Sequence, residues 1–393
     1  EPGEEELKIG RSYSSCKECL PLQLTIGSLM RYLNERKFKD EVLVYFMPKT
    51  SGPCRFGQYS VLIKKLILKL QLENVAVISL TSENGYAGFG IDSLLRAWHS
   101  VIISDVLEEI RSAVLVLAKD QKKGMEVFEE VCNMLISSVE KDSWRELKNT
   151  LEICAEKLKS IEIKMPIEQA AKIALVGEIY VRQDNFSRKN LVENLAKKNI
   201  IVKTAPIAEW MYYCDYIQKY RYNLNSTVKD RISVYIQGFF KNQYEKIIKQ
   251  IFAKSGFYEY RMVNVEKIIS NVKDLISPRL TGEAILTIGS AITEIVDEVS
   301  GVISIGPFGC MPSRIAEAII SEKINEHKLV IASDRNLIEK VMEKYPALPF
   351  LSIETDGSVF PQIIEARLET FCLQVERLHS TVLKIRKEVH EVV

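Results

Sequence analysis

The chain lacks the features that mark membrane and nucleic-acid-binding proteins. It contains no run of about 20 apolar residues, the length that a membrane-spanning helix requires. It has almost no excess of charge, because 53 Lys and Arg residues oppose 52 Asp and Glu residues, for a net charge of +1. We therefore expect neither nucleic acid nor a membrane surface to be its main partner.

The N-terminal sequence EPGEEELKIG lacks the pattern of a signal peptide, and the eight cysteines are too widely spaced for a secreted disulfide scaffold. We therefore expect a protein of the reducing cytoplasm. The sequence also opens without Met, which is expected of a processed product or a piece of a longer polypeptide.

Sequence motifs for hydrolysis and for nucleotide binding are missing too. No GxSxG, HExxH or Walker phosphate loop occurs, and the four histidines are scattered without a nucleophile beside them. The Gly-rich segment GYAGFG does not have the spacing of a dinucleotide-binding turn. The sequence therefore does not predict chemistry centred on a histidine.

What the chain does have is an alternation of strand and helix patterns in two parts. Its 393 residues are too many for one compact core and predict two domains, which we divide at 1–165 and 166–393. Short apolar runs predict strands, and amphipathic segments between them predict helices. The predicted strands are residues 42–47, 75–80, 172–178, 200–206, 302–306, 329–333 and 350–358.

Long helical patterns interrupt both parts. They run from about residue 105 to 163 and again within an insertion of about 209–290, and a last amphipathic helix begins near Gln362. The sequence thus predicts an α/β protein with two doubly wound lobes, of the flavodoxin or Rossmann kind, each with parallel strands and helical insertions.

Four cysteines lie in Gly- or Pro-bearing segments that open predicted helices: Cys16, Cys19, Cys54 and Cys310. Turns of this kind gather at one edge of an open α/β sheet, so that residues distant in sequence meet there. A helix start favours negative charge, which lowers the pKa of a thiol and suits a metal ligand. Converging thiolates of this kind predict an iron–sulfur or a zinc site.

The remaining cysteines lie in different surroundings. Cys132, Cys154 and Cys372 occupy apolar faces of predicted helices, where small buried thiols are common. Cys214, in the aromatic segment EWMYYCDY, is ambiguous, and its surroundings slightly favour packing in the core. Glu178, Arg182 and Glu209 follow predicted strands of the second part, where they would either line a cleft near the cysteines or occupy ordinary surface loops.

Several motifs together resemble the 2-hydroxyacyl-CoA dehydratase-like superfamily, and in particular the dehydratase-like portion of large CoA-substrate-specific enzyme activases. They are KECLPLQLTIGS, GPCRFGQY, VGEIYVR, IAEW, GPFGCMPSRIAEAI and PFLSIETDG followed by IEARLETF. The resemblance implies two stacked flavodoxin-like lobes with an iron–sulfur cluster held between them. It implies Cys19, Cys54 and Cys310 as ligands, with Cys16 as an additional ligand.

The resemblance also implies a function and its alternatives. We expect one [4Fe–4S] cluster, with a double-cubane [8Fe–9S] cluster as the alternative, in a low-potential reductase module that an ATP-hydrolysing activator reduces. A dehydratase subunit, with an open iron site for an acyl-CoA substrate, is the second hypothesis. The CxxC pair by itself gives a third hypothesis of a different class, a structural or regulatory module that uses zinc or a dithiol switch at Cys16 and Cys19. The sequence names no substrate and leaves the oligomeric state open, a homodimer included.

Overall fold

The computed structural model describes residues 1–15, 17–38, 40–48, 54–79, 90–220 and 228–390. Cys16 lies outside the described residues. So do the turn before Cys54 and most of the Gly-rich segment that ends at Gly90. Within the described ranges, no helix combines the length and the apolar composition that crossing a bilayer would take.

The protein is a mixed α/β structure with two parallel sheets. The described strands are β1 (Leu43–Phe46), β2 (Val75–Ile78), β3 (Ala171–Gly177), β4 (Ile200–Thr204), β5 (Val302–Pro307) and β6 (Phe350–Thr355). β1 pairs with β2 in the first sheet, and the second sheet has the order β4-β3-β5-β6. The sheets therefore differ in size, with two and four strands among the described residues.

Helices connect and cover these strands. In the first part they are α1 (Glu4–Tyr13), α2 (Leu20–Glu35), α3 (Tyr59–Lys69), α4 (Ile91–Leu117), α5 (Gln121–Lys141) and α6 (Trp144–Lys159). In the second part they are α7 (Ile179–Gln183), α8 (Leu191–Ala196), α9 (Ile207–Lys219), α10 (Val228–Ala253), α11 (Val265–Val272), α12 (Ala284–Glu294), α13 (Met311–Ile331), α14 (Arg335–Lys344) and α15 (Gln362–His390).

The two sheets differ in how they are covered. Every residue of β4 and β5 is buried, as expected of parallel strands with helices on both faces. In β1 and β2 partly buried residues alternate with exposed ones, so one face packs on α2 and α3 while Val44, Phe46 and Ile78 are exposed.

One predicted strand is wrong. Residues 329–333 were expected to form a strand, but α13 continues to Ile331. β5 already pairs with β3 and β6, so no strand position remains beside it. Lys328 is fully buried and binds the carbonyl oxygen of Thr293 at 2.7 Å, which anchors the end of the helix. A short apolar run does not by itself distinguish a strand from a buried helix.

The long helices of the two parts share a core. Buried residues of α4, α5 and α6, such as Ile110 and Leu151, belong to one hydrophobic cluster with Ile248 and Phe252 of α10. This cluster crosses residue 165, the boundary that we predict from the sequence. The helices of the first part therefore support the second sheet directly, and the division into domains stays a prediction.

Helices α1 and α2 lie against the carboxyl end of the second sheet. They cross so closely that a Cβ atom on Gly27 would lie 1.8 Å from the carbonyl oxygen of Glu6. Leu20 belongs to a small buried cluster that packs against Tyr180, and Arg11 donates a hydrogen bond to the carbonyl oxygen of Asp356 at 2.7 Å. This contact brings the start of α2 to the loops that follow β3 and β6.

Candidate functional site

The candidate site lies at the carboxyl ends of β3 and β5. The chain moves from β3 to β4 on one side and returns to β5 on the other, so the strand order reverses between β3 and β5. Ligands of open α/β sheets bind in the crevice outside such a reversal point. Glu178 follows β3 here, and Cys310 follows β5.

Two glycines let these loops approach each other. Gly177 has a φ of +111°, and a Cβ atom on it would lie 2.1 Å from the carbonyl oxygen of Ile305. A Cβ atom on Gly306 would lie 2.3 Å from the hydroxyl oxygen of Ser313. Larger residues would therefore separate the loop of Glu178 from the start of α13.

Three of the predicted ligands occupy the same local position, the N-cap of a helix. Cys19 precedes α2, Cys310 precedes α13, and Cys54 precedes a 3₁₀ turn over Arg55–Gln58 that leads into α3. The backbone N–H groups at a helix start attract negative charge. The prediction that these cysteines open helices is confirmed.

Glu178 contributes to the electrostatics of all three cysteines. Desolvation raises the pKa of Cys19, of Cys54 (to about 11) and of Cys310, and the negative charge of Glu178 raises each pKa further. Cys310 also raises the pKa of Cys54. The expectation that a helix start lowers the pKa of these thiols is therefore wrong, because burial outweighs the favourable backbone N–H groups.

Cys19 has a further partner, the hydroxyl group of Tyr59. The sulfur and the hydroxyl oxygen are 2.5 Å apart, and Tyr59 is only 4% exposed. Tyr59 begins α3, directly after the turn that Cys54 opens. Sequence reasoning gave this residue no role; its only signal was its place in the motif GPCRFGQY.

Arg182 and Glu209 are not surface-loop residues, because each is only 3% exposed. The Arg182 guanidinium donates to the carbonyl oxygens of Gly177 at 2.6 Å and Ala205 at 3.0 Å. Glu209 accepts a hydrogen bond from the hydroxyl of Ser290 at 2.5 Å. The surface-loop alternative is therefore wrong for both, and Arg182 fixes the loop that carries Glu178.

Glu283, which the sequence did not suggest, completes the surroundings. Its carboxylate lies 3.1 Å from the guanidinium of Arg182, and burial raises its pKa to about 8. Its charge also raises the pKa of Cys54 and of Cys310. Glu283 precedes α12 in a segment without strand or metal-ligand patterns, so only the tertiary structure reveals it.

The other cysteines lie elsewhere. Cys154 and Cys372 are buried among apolar side chains, and Cys132 packs against the cluster that contains Cys154, as predicted for these three. Burial raises the pKa of Cys214 to about 12, and its charged neighbours are Asp215 and Lys241 rather than the site residues. Cys16 is outside the described residues, so its role as an additional ligand stays a prediction.

The donor set fits an iron–sulfur cluster better than a hard cation. Its three thiols are soft ligands, which select iron–sulfur clusters, zinc and copper. In the described ranges, no three His, Cys, Asp or Glu residues are close enough to hold a single metal ion. That result concerns single ions, whereas a cubane spreads its ligand sulfurs over several corners.

Comparison of the chain with protein-family models, with curated proteins and with solved structures gives no significant match.

Proposed function

We propose that the chain is an iron–sulfur protein of the 2-hydroxyacyl-CoA dehydratase type, serving as a low-potential electron-transfer or reductase module. In this proposal its two sheets belong to two flavodoxin- or Rossmann-like lobes, and a [4Fe–4S] cluster lies between them. An ATP-hydrolysing activator supplies the electrons.

One observation carries the proposal: direct contacts join the segment of Cys19 to the segments of Cys54 and Glu178. The sulfur of Cys19 contacts Tyr59, which follows the turn that Cys54 opens, and Leu20 packs against Tyr180 in the loop of Glu178. Glu178 and Cys310 follow the paired strands β3 and β5, at the reversal of strand order where α/β proteins bind their ligands. A common inorganic centre is the simplest chemical reason to gather thiols there.

The chain's own groups suit such a centre. Each of the three cysteines precedes a helix or turn, and the sulfur of Cys54 accepts a hydrogen bond from the backbone N–H of Phe56 at 3.4 Å. Cys19 and Cys310 are partly buried, while Cys54 is exposed. A bound cluster would accept and donate single electrons at low potential.

The exposed residues near the cysteines also give an electron donor access to the proposed cluster. Phe308 and Met311, which lie close to Cys310 in sequence, are 73% and 45% exposed, and Cys54 is exposed as well. A reducing partner could therefore approach the cysteines without unfolding either sheet. This accessibility supports a role in which a separate domain or protein delivers the electrons.

The test is the metal content and the spectrum of protein purified without oxygen. We expect about four iron and four sulfide per chain, from the composition of a [4Fe–4S] cluster, and matching Mössbauer and EPR signals. Cys54→Ser and Cys310→Ser should lose most of the iron. Cys132→Ser, which changes a cysteine outside the site, should retain it. Colourless protein that contains zinc and no iron would refute the proposal.

A further inference from the structure

The hydroxyl group of Tyr59 and the sulfur of Cys19 are in direct contact, closer than in an ordinary hydrogen bond to sulfur. The hydroxyl oxygen is 2.5 Å from the sulfur, the ring is buried, and an edge contact with Phe56 at 5.1 Å between ring centroids holds it in place. Tyr59 lies 40 residues from Cys19 in sequence, so the contact is a product of the tertiary fold.

In the free protein either atom can act as the donor, because the thiol and the hydroxyl group each carry a proton. Binding to iron removes the thiol proton, since thiolates are the ligands of iron–sulfur clusters. The sulfur can then only accept, and the hydroxyl group of Tyr59 must donate. Metal binding therefore fixes the direction of this hydrogen bond.

We propose that Tyr59 donates a hydrogen bond to the Cys19 thiolate and thereby raises the reduction potential of the bound cluster. This inference rests on the proposed function. Hydrogen bonds to cluster sulfurs are among the factors that set the potential. Adding an electron increases the negative charge on the ligand sulfurs, so a donor at Cys19 stabilises the reduced form more than the oxidised form.

A purely structural role for Tyr59 predicts a different result. The ring belongs to the hydrophobic cluster between α2 and α3, and a buried hydroxyl group needs some hydrogen-bond partner. If the thiol only satisfies the hydroxyl group, its removal would change stability but not potential. The potential therefore distinguishes a positioning residue for the cluster from an ordinary core tyrosine.

Tyr45 provides a matched control. Its hydroxyl group donates to the carbonyl oxygen of Thr25 at 3.0 Å, and its ring packs against the same cluster as Tyr59. Tyr45→Phe thus removes a hydroxyl group from the same part of the chain without touching a cysteine.

The experiment is an EPR-monitored redox titration of the complete chain, with iron and sulfide measured for each variant. We expect Tyr59→Phe to retain its cluster with a more negative midpoint potential, and Tyr45→Phe to keep the wild-type potential. Equal potentials for Tyr59→Phe and the wild type would overturn the inference. So would an equal shift in both variants, because the effect would then not be specific to the sulfur contact.

If Tyr59→Phe fails to bind iron, a 3-fluorotyrosine at position 59 decides the question. Fluorine makes the hydroxyl group a stronger donor while preserving the shape of the ring, so the potential should become less negative. An unchanged potential would overturn the inference while leaving the cluster assignment intact. An iron-free wild-type protein would instead refute the proposed function itself.

Discussion

The guanidinium of Arg182 lies 3.1 Å from the carboxylate of Glu283, and the two side chains are 4% and 15% exposed. The same guanidinium binds the carbonyl oxygens at the ends of β3 and β4. Arg182 thus joins α12 to two neighbouring strands, and it lies four residues after Glu178. The position of Glu178 among the cysteines depends on this buried cation.

Arg182→Met should destabilise the protein by about 3–5 kcal/mol, because it breaks a buried ion pair and leaves the carbonyl oxygens of Gly177 and Ala205 without their donor. Denaturant-induced unfolding measures this loss. Arg335→Met is the control, because Arg335 and Glu339 form an exposed pair at 2.8 Å whose loss should cost less than about 1 kcal/mol. Similar losses in both variants would contradict a special role for the buried pair.

His99 should make the protein sensitive to acid. Its ring packs between Trp144 and Tyr244, its Nε2 atom has no hydrogen-bond partner, and burial lowers its pKa from 6.5 to about 4. Between these values the unfolded chain binds the proton more readily than the folded one. The stabilisation is therefore complete above pH 6.5 and is lost as the pH falls towards 4.

The lost free energy from this histidine is at most about 3.5 kcal/mol, because one pKa unit corresponds to about 1.4 kcal/mol. His99→Phe keeps an aromatic ring and removes the titration. The difference in unfolding free energy between pH 7.5 and pH 4.5 should therefore be smaller in the variant. Parallel stability curves for the two proteins would show that His99 does not contribute.

Gly177→Ala should disrupt the loop of Glu178. Its φ of +111° is strained for a residue with a side chain, and the added carbon would lie 2.1 Å from the carbonyl oxygen of Ile305. We expect a loss of about 2–4 kcal/mol and a lower iron content. Gly238→Ala is the control, since nothing lies within 4 Å of its added carbon in α10. It should be neutral or stabilising, and an equal loss in both would contradict the steric argument.

Cys16→Ser tests whether this cysteine completes the ligand set. We expect the variant to keep a cluster through Cys19, Cys54 and Cys310, with an altered EPR spectrum and an iron that binds added ligands such as cyanide. Cys214→Ser should leave the spectrum unchanged. If Cys16→Ser also matches the wild type, Cys16 is not a ligand, and the open-site dehydratase hypothesis gains support.

Much of the local structure could be read from the sequence. The short β-branched runs identified β3 and β5, and the Gly and Pro residues around Cys310 indicated the turn into α13. The apolar spacing around Cys154 and Cys372 predicted their burial correctly. These features depend on residues that are close together in sequence, so the spacing of apolar and turn-forming residues predicts them.

The sequence alone was less informative where neighbours come from distant segments. Residues 329–333 have a strand-like composition, but residues 329–331 belong to α13, whose end Lys328 anchors through the carbonyl oxygen of Thr293. Glu283 and Tyr59 gained their importance only from contacts across the fold. A pattern of apolar residues does not predict which side chains from distant segments will be in contact.

The amino-acid sequence by itself therefore determined the kinds of element and the placing of Cys19, Cys54 and Cys310 at helix starts, because capping and periodicity are local effects. The tertiary structure decided that Tyr59 contacts Cys19 and that Leu20, beside Cys19, packs against Tyr180 in the loop of Glu178. The physical reason is that such contacts depend on strand order and on the close packing of α1 and α2 against the second sheet, which are settled only when the whole chain folds.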